Sequence, residues 1–313
     1  MSALAIKDIV VVSIDGLGDQ ILTWPTMRAL YQLYPDGLHL VLGEGMRLMF
    51  YREVQFQTQI RARFEDPDAN TFDVEALVAA IGPCHTIIHL GDWLNDSLWD
   101  VLSGTMPRRT VGLRPRFSEY VEVADDVHMF DRIFALAQRL EPRFALDDFC
   151  SPPTFSGPAQ NVANRMFKQA MMTDEKFLFV HPETLAAKMW SRPHLESILF
   201  EFLDERPEYR VMVCTREPFV LRSHSRIHSV QPHLELGMAL VGLADCFLGV
   251  DSCFLHAADL YRVPGVSLFG PTRPETWGFR FSQPAIDIDG RGAMSGIDPH
   301  EVLNAMLQVA PRA

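Results

Sequence analysis

Near the start of the chain, Ile9-Val10-Val11-Val12-Ser13-Ile14 forms an almost unbroken apolar run rich in β-branched side chains. A strand with one face in water alternates apolar and polar residues. A run like this one belongs to a strand buried on both faces, as in a parallel sheet covered by helices. Asp19 to Tyr34 follows, with Ile21, Leu22, Met27, Leu30 and Leu33 at helical spacing, and Pro35-Asp36-Gly37 ends the pattern. Leu38-His39-Leu40-Val41-Leu42-Gly43 reads as a second strand, which makes a strand–helix–strand unit. Thr86–Leu90 and Thr110–Leu113 are further strands for the same sheet, and Val127–Leu140 is an amphipathic helix.

Glu141 to Gln160 is rich in Pro, Ser and Asp and has weak periodicity, so it reads as a linker. A second α/β pattern then begins. Strands are expected at Lys176–Val180, Arg210–Cys214, Cys246–Val250 and Gly265–Phe269, with helices at His194–Glu205, Leu234–Ala244 and Ser252–Tyr261. The implied architecture is α/β, with two Rossmann-like domains whose parallel sheets face a cleft between them. The expected division is 1–155, 165–295, and a tail, 296–313, whose helix over Pro299–Val309 packs back on the first domain.

Composition narrows the partners. No apolar run approaches the ~18 residues of a membrane span. Residues Met1–Asp8 enter a strand pattern without the layout of a secretory signal. Five scattered cysteines, with no C-x-x-C pair and no zinc-ligand spacing, point to reduced thiols in the cytoplasm. The net charge of -12 argues against nucleic acid and against docking on an anionic membrane through a basic face. The first 150 residues carry 22 acidic against 13 basic side chains, so an anionic ligand needs a local device to hold it.

Asp15-Gly16-Leu17-Gly18-Asp19, just past the first strand, admits several readings. As a dinucleotide fingerprint it lacks the third glycine, because Ile21 stands there. As the opening of an alkaline-phosphatase-like metal site it needs further Asp and His ligands, and no such cluster follows. The remaining reading lets the glycines admit a substrate to the backbone. Asp19 is then either a helix cap or a general base.

Two stretches in the second half bear on that choice. Val180–Leu203 carries Thr184 and a lone Lys188 beside Trp190. Leu243–Gly278 places Asp251-Ser252 at a strand end directly before a helix, whose N–H groups form an anion site. With these in view the chain resembles glycosyltransferase family 9, the ADP-heptose:lipopolysaccharide heptosyltransferase family, which has the two-Rossmann GT-B fold. The resemblance runs through Gly18-Asp19, Pro25 and Tyr34-Pro35, His128-x-x-x-Arg132, and Lys188-Met189-Trp190. It continues in Asp251-Ser252, His256, Ala257-Ala258, Pro264, Phe269-Gly270-Pro271-Thr272 and Trp277-Gly278.

The resemblance implies an inverting, metal-independent transferase that needs no cofactor beyond its nucleotide-sugar substrate, an ADP-sugar. Asp19 is implied as the base and Lys188 as the group that neutralises the leaving diphosphate. Gly18, Thr184, Glu217, Asp251, Ser252, Cys253 and His256 are implied on the donor side, with Asp15 on the acceptor side. Two positions depart from the family pattern: Cys253 replaces a glycine, and Asp15 adds an acid. With the acidic first half, these suggest a small-molecule, glycan or protein acceptor other than lipopolysaccharide. The competing classes are a nucleotide-binding scaffold of the same fold that has lost its chemistry, and the metalloenzyme. Nothing in the sequence sets the oligomeric state.

Overall fold

The computed structural model describes residues 7–170, 175–219 and 221–312. The chain divides into two compact units, Met1–Pro153 and Thr154–Ala313, and the division falls inside the Pro- and Ser-rich stretch. The reading of Met1–Asp8 as free of a secretory signal falls mostly on residues 1–6, outside the described residues.

In unit 1, β1 (Lys7–Ser13) leads through α1 (Leu17–Leu22) and α2 (Trp24–Leu33) to β2 (Leu38–Gly43) and β3 (Thr58–Ala62). A short antiparallel hairpin follows, β4 (Phe64–Asp66) with β5 (Thr71–Phe72). Then come α3 (Val74–Ile81), β6 (Cys84–His89), α4 (Asp96–Gly104), β7 (Arg109–Gly112), β8 (Glu119–Tyr120) and α5 (Met129–Leu140). Six strands make one parallel sheet in the order β3-β2-β1-β6-β7-β8. Val10, Val11 and Val12 of β1 are buried, as an unbroken apolar run requires of a strand covered on both faces.

The helix predicted over Asp19–Tyr34 is two helices, with a break at Thr23. Pro25 has no N–H to give to the carbonyl four residues back, so the helical ladder is interrupted there. The Thr23 hydroxyl donates to the Gln20 carbonyl at 2.7 Å and is also bonded to the Tyr51 hydroxyl, which holds the break in place.

Unit 2 opens with α6 (Gly157–Ala170), then β9 (Lys176–His181), α7 (Arg192–Glu205), β10 (Tyr209–Cys214) and β11 (Ile227–Val230). It continues through α8 (Leu234–Val241), β12 (Cys246–Val250), α9 (Cys253–Leu260) and β13 (Gly265–Phe269). The last elements are α10 (Pro274–Trp277), β14 (Ala285–Asp289) and α11 (Pro299–Val309). Its sheet is also parallel, in the order β11-β10-β9-β12-β13-β14.

The sequence reading has the Pro299–Val309 helix pack back on the first domain; its apolar stripe is taken up within unit 2. Val302, Ala305, Met306 and Val309 join the core formed by Leu195, Ile198, Leu199 and Phe202 of α7 and by the buried face of β13. The Tyr209 hydroxyl on β10 donates to the Pro311 carbonyl at 2.9 Å, which anchors the chain just past the helix.

Phe202 is fully buried and meets Tyr209 edge-on, with ring centroids 5.2 Å apart. Removing the ring leaves a cavity between α7 and the sheet, and a Phe202→Ala variant is expected to lose about 3–5 kcal/mol. The urea midpoint for unfolding of unit 2 measures this. A midpoint equal to wild type would show that Phe202 is not part of the core.

Candidate active site

In each sheet the strand order reverses beside the first strand of its unit. From β1 the chain builds outward through β2 and β3, then crosses to β6 on the other flank. From β9 it builds through β10 and β11, then crosses to β12. Connections leaving the two neighbouring strands at a reversal depart to opposite sides, which opens a crevice at their carboxyl ends. Most of the predicted residues lie at these two places; Glu217, past β10, does not.

In unit 2, Asp251 follows β12 directly and is 4% exposed. Its Oδ2 accepts from Lys188 Nζ at 2.6 Å and from the Thr272 hydroxyl at 2.7 Å. His256 Nε2, one turn into α9, lies 3.9 Å from Oδ1. Lys188 ends the 3-10 turn after β9, Asp251 leaves β12, and Thr272 leaves β13, so three adjacent strand ends converge on one carboxylate. The His256 ring approaches Trp277 at 6.4 Å, while Trp190 packs into the hydrophobic core of the unit.

Ser252 sits at the cap position of α9 in an extended conformation and makes no side-chain cap bond. Its hydroxyl oxygen is buried and has no partner among the described residues. At Cys253 the sulfur lies against the N–H groups of Cys253 and Phe254, and burial pushes the thiol up to about 12. A protonated thiol therefore rests on the helix-end amides expected to meet a phosphate. His181, at the end of β9, has its ring Nδ1 2.7 Å from the Cys214 carbonyl oxygen, and burial lowers it to about 4. It is a neutral structural histidine.

Thr184 lies half-buried in the loop after β9, with no side-chain hydrogen bond among the described residues. Glu217 is exposed past β10 and pairs with Arg216 at 3.8 Å, so nothing joins it to the Lys188–Asp251 cluster.

In unit 1, Gly18 and Asp19 lie in the first turn of α1. The Gly16 N–H donates to Asp19 Oδ2 at 2.9 Å, the reach-back bond of a capping box. Asp19 thus satisfies a helix end from the third helical position, and that bond also fixes the direction of its carboxylate. Asp15 stands between β1 and α1. Burial, with Asp19 and Asp92 adding, pushes it up to about 8, against the opposing effect of a Trp93 hydrogen bond.

The sequence reading missed the other wall of this crevice, from His89 at the end of β6 to Trp93. A Cβ on Gly91 would come within 2.3 Å of Asp15 Oδ2 and 2.9 Å of the His89 ring, so the three are packed together. His89 is fully buried, its ring nitrogens have no hydrogen-bond partner among the described residues, and burial holds it at about 4. Arg132, on α5, is buried and donates to Asp92 and Asp125, both at 3.1 Å. His128 accepts the Phe130 N–H at the head of the same helix. A signal for this wall exists: Gly91-Asp92 follows β6 much as Gly18-Asp19 follows β1.

No group of three His, Cys, Asp or Glu is placed to hold a metal ion among the described residues. No helix among them is long and apolar enough to cross a membrane.

Comparison with known proteins bears on the family and the fold. The family described as "Glycosyltransferase family 9 (heptosyltransferase)" matches residues 115–288. A glycosyl transferase family 9 structure from Veillonella parvula superposes with a TM-score of 0.73 at 16% identity, covering 97% of both chains. The E. coli heptosyltransferase WaaC with ADP gives 0.67 at 17% identity, covering 97% of this chain and 100% of the other. E. coli ADP-heptose lps heptosyltransferase II gives 0.63 at 16% identity, over 97% and 98%. At such identities the likeness speaks for the fold. No curated protein sequence matches.

Lys188 is the cation on a buried carboxylate. Lys188→Met is expected to destabilise unit 2 by about 2–3 kcal/mol, the scale of a charged hydrogen bond whose partner stays buried. Thermal and urea unfolding at neutral pH check this. Unchanged stability would mean that water, not Lys188, compensates Asp251.

Proposed function

The chain belongs to glycosyltransferase family 9, and from that premise we propose that it moves a heptose-like sugar from a nucleoside-diphosphate donor to an acceptor hydroxyl, with inversion and without a metal ion. ADP-heptose is the first choice of donor. Support for it comes from the family match and from neighbours of this fold solved with ADP and with ADP-2-deoxy-2-fluoro heptose.

The observation that carries the reading is the Lys188–Asp251–Thr272 cluster at the strand reversal of unit 2. Lys188 commits one of its three N–H donors to Asp251, and the others serve the departing diphosphate. Asp251 accepts from sugar hydroxyls, and His256 lines the same face of α9. Ser252 and Cys253 adjoin the phosphates; the Ser252 hydroxyl still needs a partner, and the Cys253 thiol limits the space at the helix end. Thr184 and Glu217 are donor-side residues of lesser support, since neither contacts the cluster.

Asp19 is the base. As the acceptor oxygen bonds to the anomeric carbon, its proton passes to the Asp19 carboxylate. The bond from that carbon to the diphosphate oxygen breaks, and its electron pair leaves on the diphosphate. The acidic first half, together with the Asp15–Asp19–Asp92 group, favours a neutral or cationic acceptor over lipopolysaccharide. The free cysteines suit work in the cytoplasm.

A second reading is a nucleotide-binding protein without chemistry, favoured by the capping bond that already employs Asp19. A thermal-shift panel of ADP-, UDP-, GDP- and dTDP-sugars identifies the donor, and Asp19→Ala then separates the two readings. The proposed enzyme loses about 10²–10⁴-fold in kcat and keeps its affinity for the nucleotide. An active enzyme indifferent to the change would leave Asp19 as a cap alone. Addition of a chelator is expected to leave the rate unchanged, whereas a metalloenzyme would stop. Efficient transfer to deacylated lipopolysaccharide core would sink the acceptor assignment.

A further inference from the structure

A carboxyl drawn away from water stays ionised most easily where a cation faces it. Asp15 is half-buried, and no cation pairs with it among the described residues. Its Oδ1 is closed to water and has no hydrogen-bond partner among them, and the side-chain hydrogen bond it does make is with Trp93. From α1 it faces Asp19, and from the end of β6 and the segment after it Asp92, Gly91 and the uncharged His89. Tyr51, the remaining titratable neighbour, has its hydroxyl engaged with Ser13 and Thr23. The nearby guanidiniums are spent elsewhere: Arg114 lies 3.4 Å and Arg132 3.1 Å from the same oxygen of Asp92. Two acids therefore act on the carboxyl, and no cation pairs with it among the described residues.

We propose that Asp15 serves the acceptor end of the site as a neutral carboxylic acid, donating its O–H to a polar group of the acceptor and leaving Asp19 as the ionised member of the pair. The acceptor role rests on the reading of Asp19 as the base; the retained proton does not. Two carboxyls this close repel as anions, so a proton held by one keeps the other available as a carboxylate. Asp19 is the natural ionised partner, because the Gly16 N–H donates to its carboxylate. Gly91 is part of the device, since any side chain there would displace the Asp15 carboxyl.

The proton leaves a thermodynamic trace that needs no substrate. The folded state holds it up to about 8, whereas the unfolded chain releases it near the ordinary Asp value of about 3.9. Between those values the folded state binds more protons. The stability that Asp15 contributes is therefore complete at the acid end and declines as pH rises towards the upper value. Asp15→Asn has no such proton. Its melting temperature relative to wild type is expected to climb steadily from pH 4 to 8 and level off above. A difference independent of pH overturns the proposal, whatever the enzyme does.

Activity provides the second arm. Asp15→Ala is expected to lose about tenfold in kcat/KM at neutral pH, the scale of one hydrogen bond, and Asp15→Asn, which keeps an N–H donor, about threefold. Wild-type transfer should fall as pH rises through about 8, and this alkaline fall should vanish in Asp15→Asn. An alkaline fall that persists in Asp15→Asn, or equal losses in the two variants, overturns the acceptor role. If wild type transfers no sugar with any donor, the proposed function fails, and the stability arm still reports on the proton.

Discussion

A parallel sheet forces every strand to end at the same edge, and a reversal of strand order at that edge leaves a gap that no connection crosses. Both units obey this constraint at their first strand, between β1 and β6 and between β9 and β12. Everything assigned to chemistry hangs from these two gaps. Asp15 and Asp19 leave β1, and His89 to Trp93 leave β6. Lys188 follows β9, and Asp251 leaves β12. The buried apolar strands matter to function because they hold these connections in fixed register.

The two gaps solve the problem of a buried carboxylate differently. Asp251 is compensated outright, by an ammonium at 2.6 Å and a hydroxyl at 2.7 Å on the same oxygen. Asp15 meets two other acids and keeps company with an uncharged imidazole. In one unit an ammonium is gathered onto a carboxylate at the strand reversal, where the proposed function puts the diphosphate. In the other, arginines pair with Asp92 and Asp125, and none pairs with Asp15 among the described residues. A general field would blur this contrast. In a chain of net charge -12 each local arrangement has to be built from particular contacts.

The buried strands were legible because burial on both faces writes an apolar run. Leu38–Gly43, Cys246–Val250 and Gly265–Phe269 lie where the run predicts them. The strands that escaped are the short hairpin β4–β5 and the four edges of the parallel sheets, β3, β8, β11 and β14. There one side lacks a neighbour, and residues such as Thr58, Gln59 and Arg61 meet water, so the pattern fades. At the site, Lys188, Asp251 and Asp19 were legible from motif order. Asp92, Gly91 and His89 were not, because their part depends on β6 lying beside β1, a pairing between segments some 75 residues apart.

What the sequence determined alone was the class of architecture and the cast of charged residues. A periodicity of apolar side chains is a local property, and helix and strand follow from it. The tertiary structure decided what each charge meets. It set Lys188 against Asp251 across 63 residues of chain, turned the Cys253 sulfur onto its own helix end, and packed Asp15 over Gly91 under the influence of Asp19 and Asp92. Those outcomes are set by Coulomb interaction and desolvation, which depend on distances in space and are not written in the order of residues.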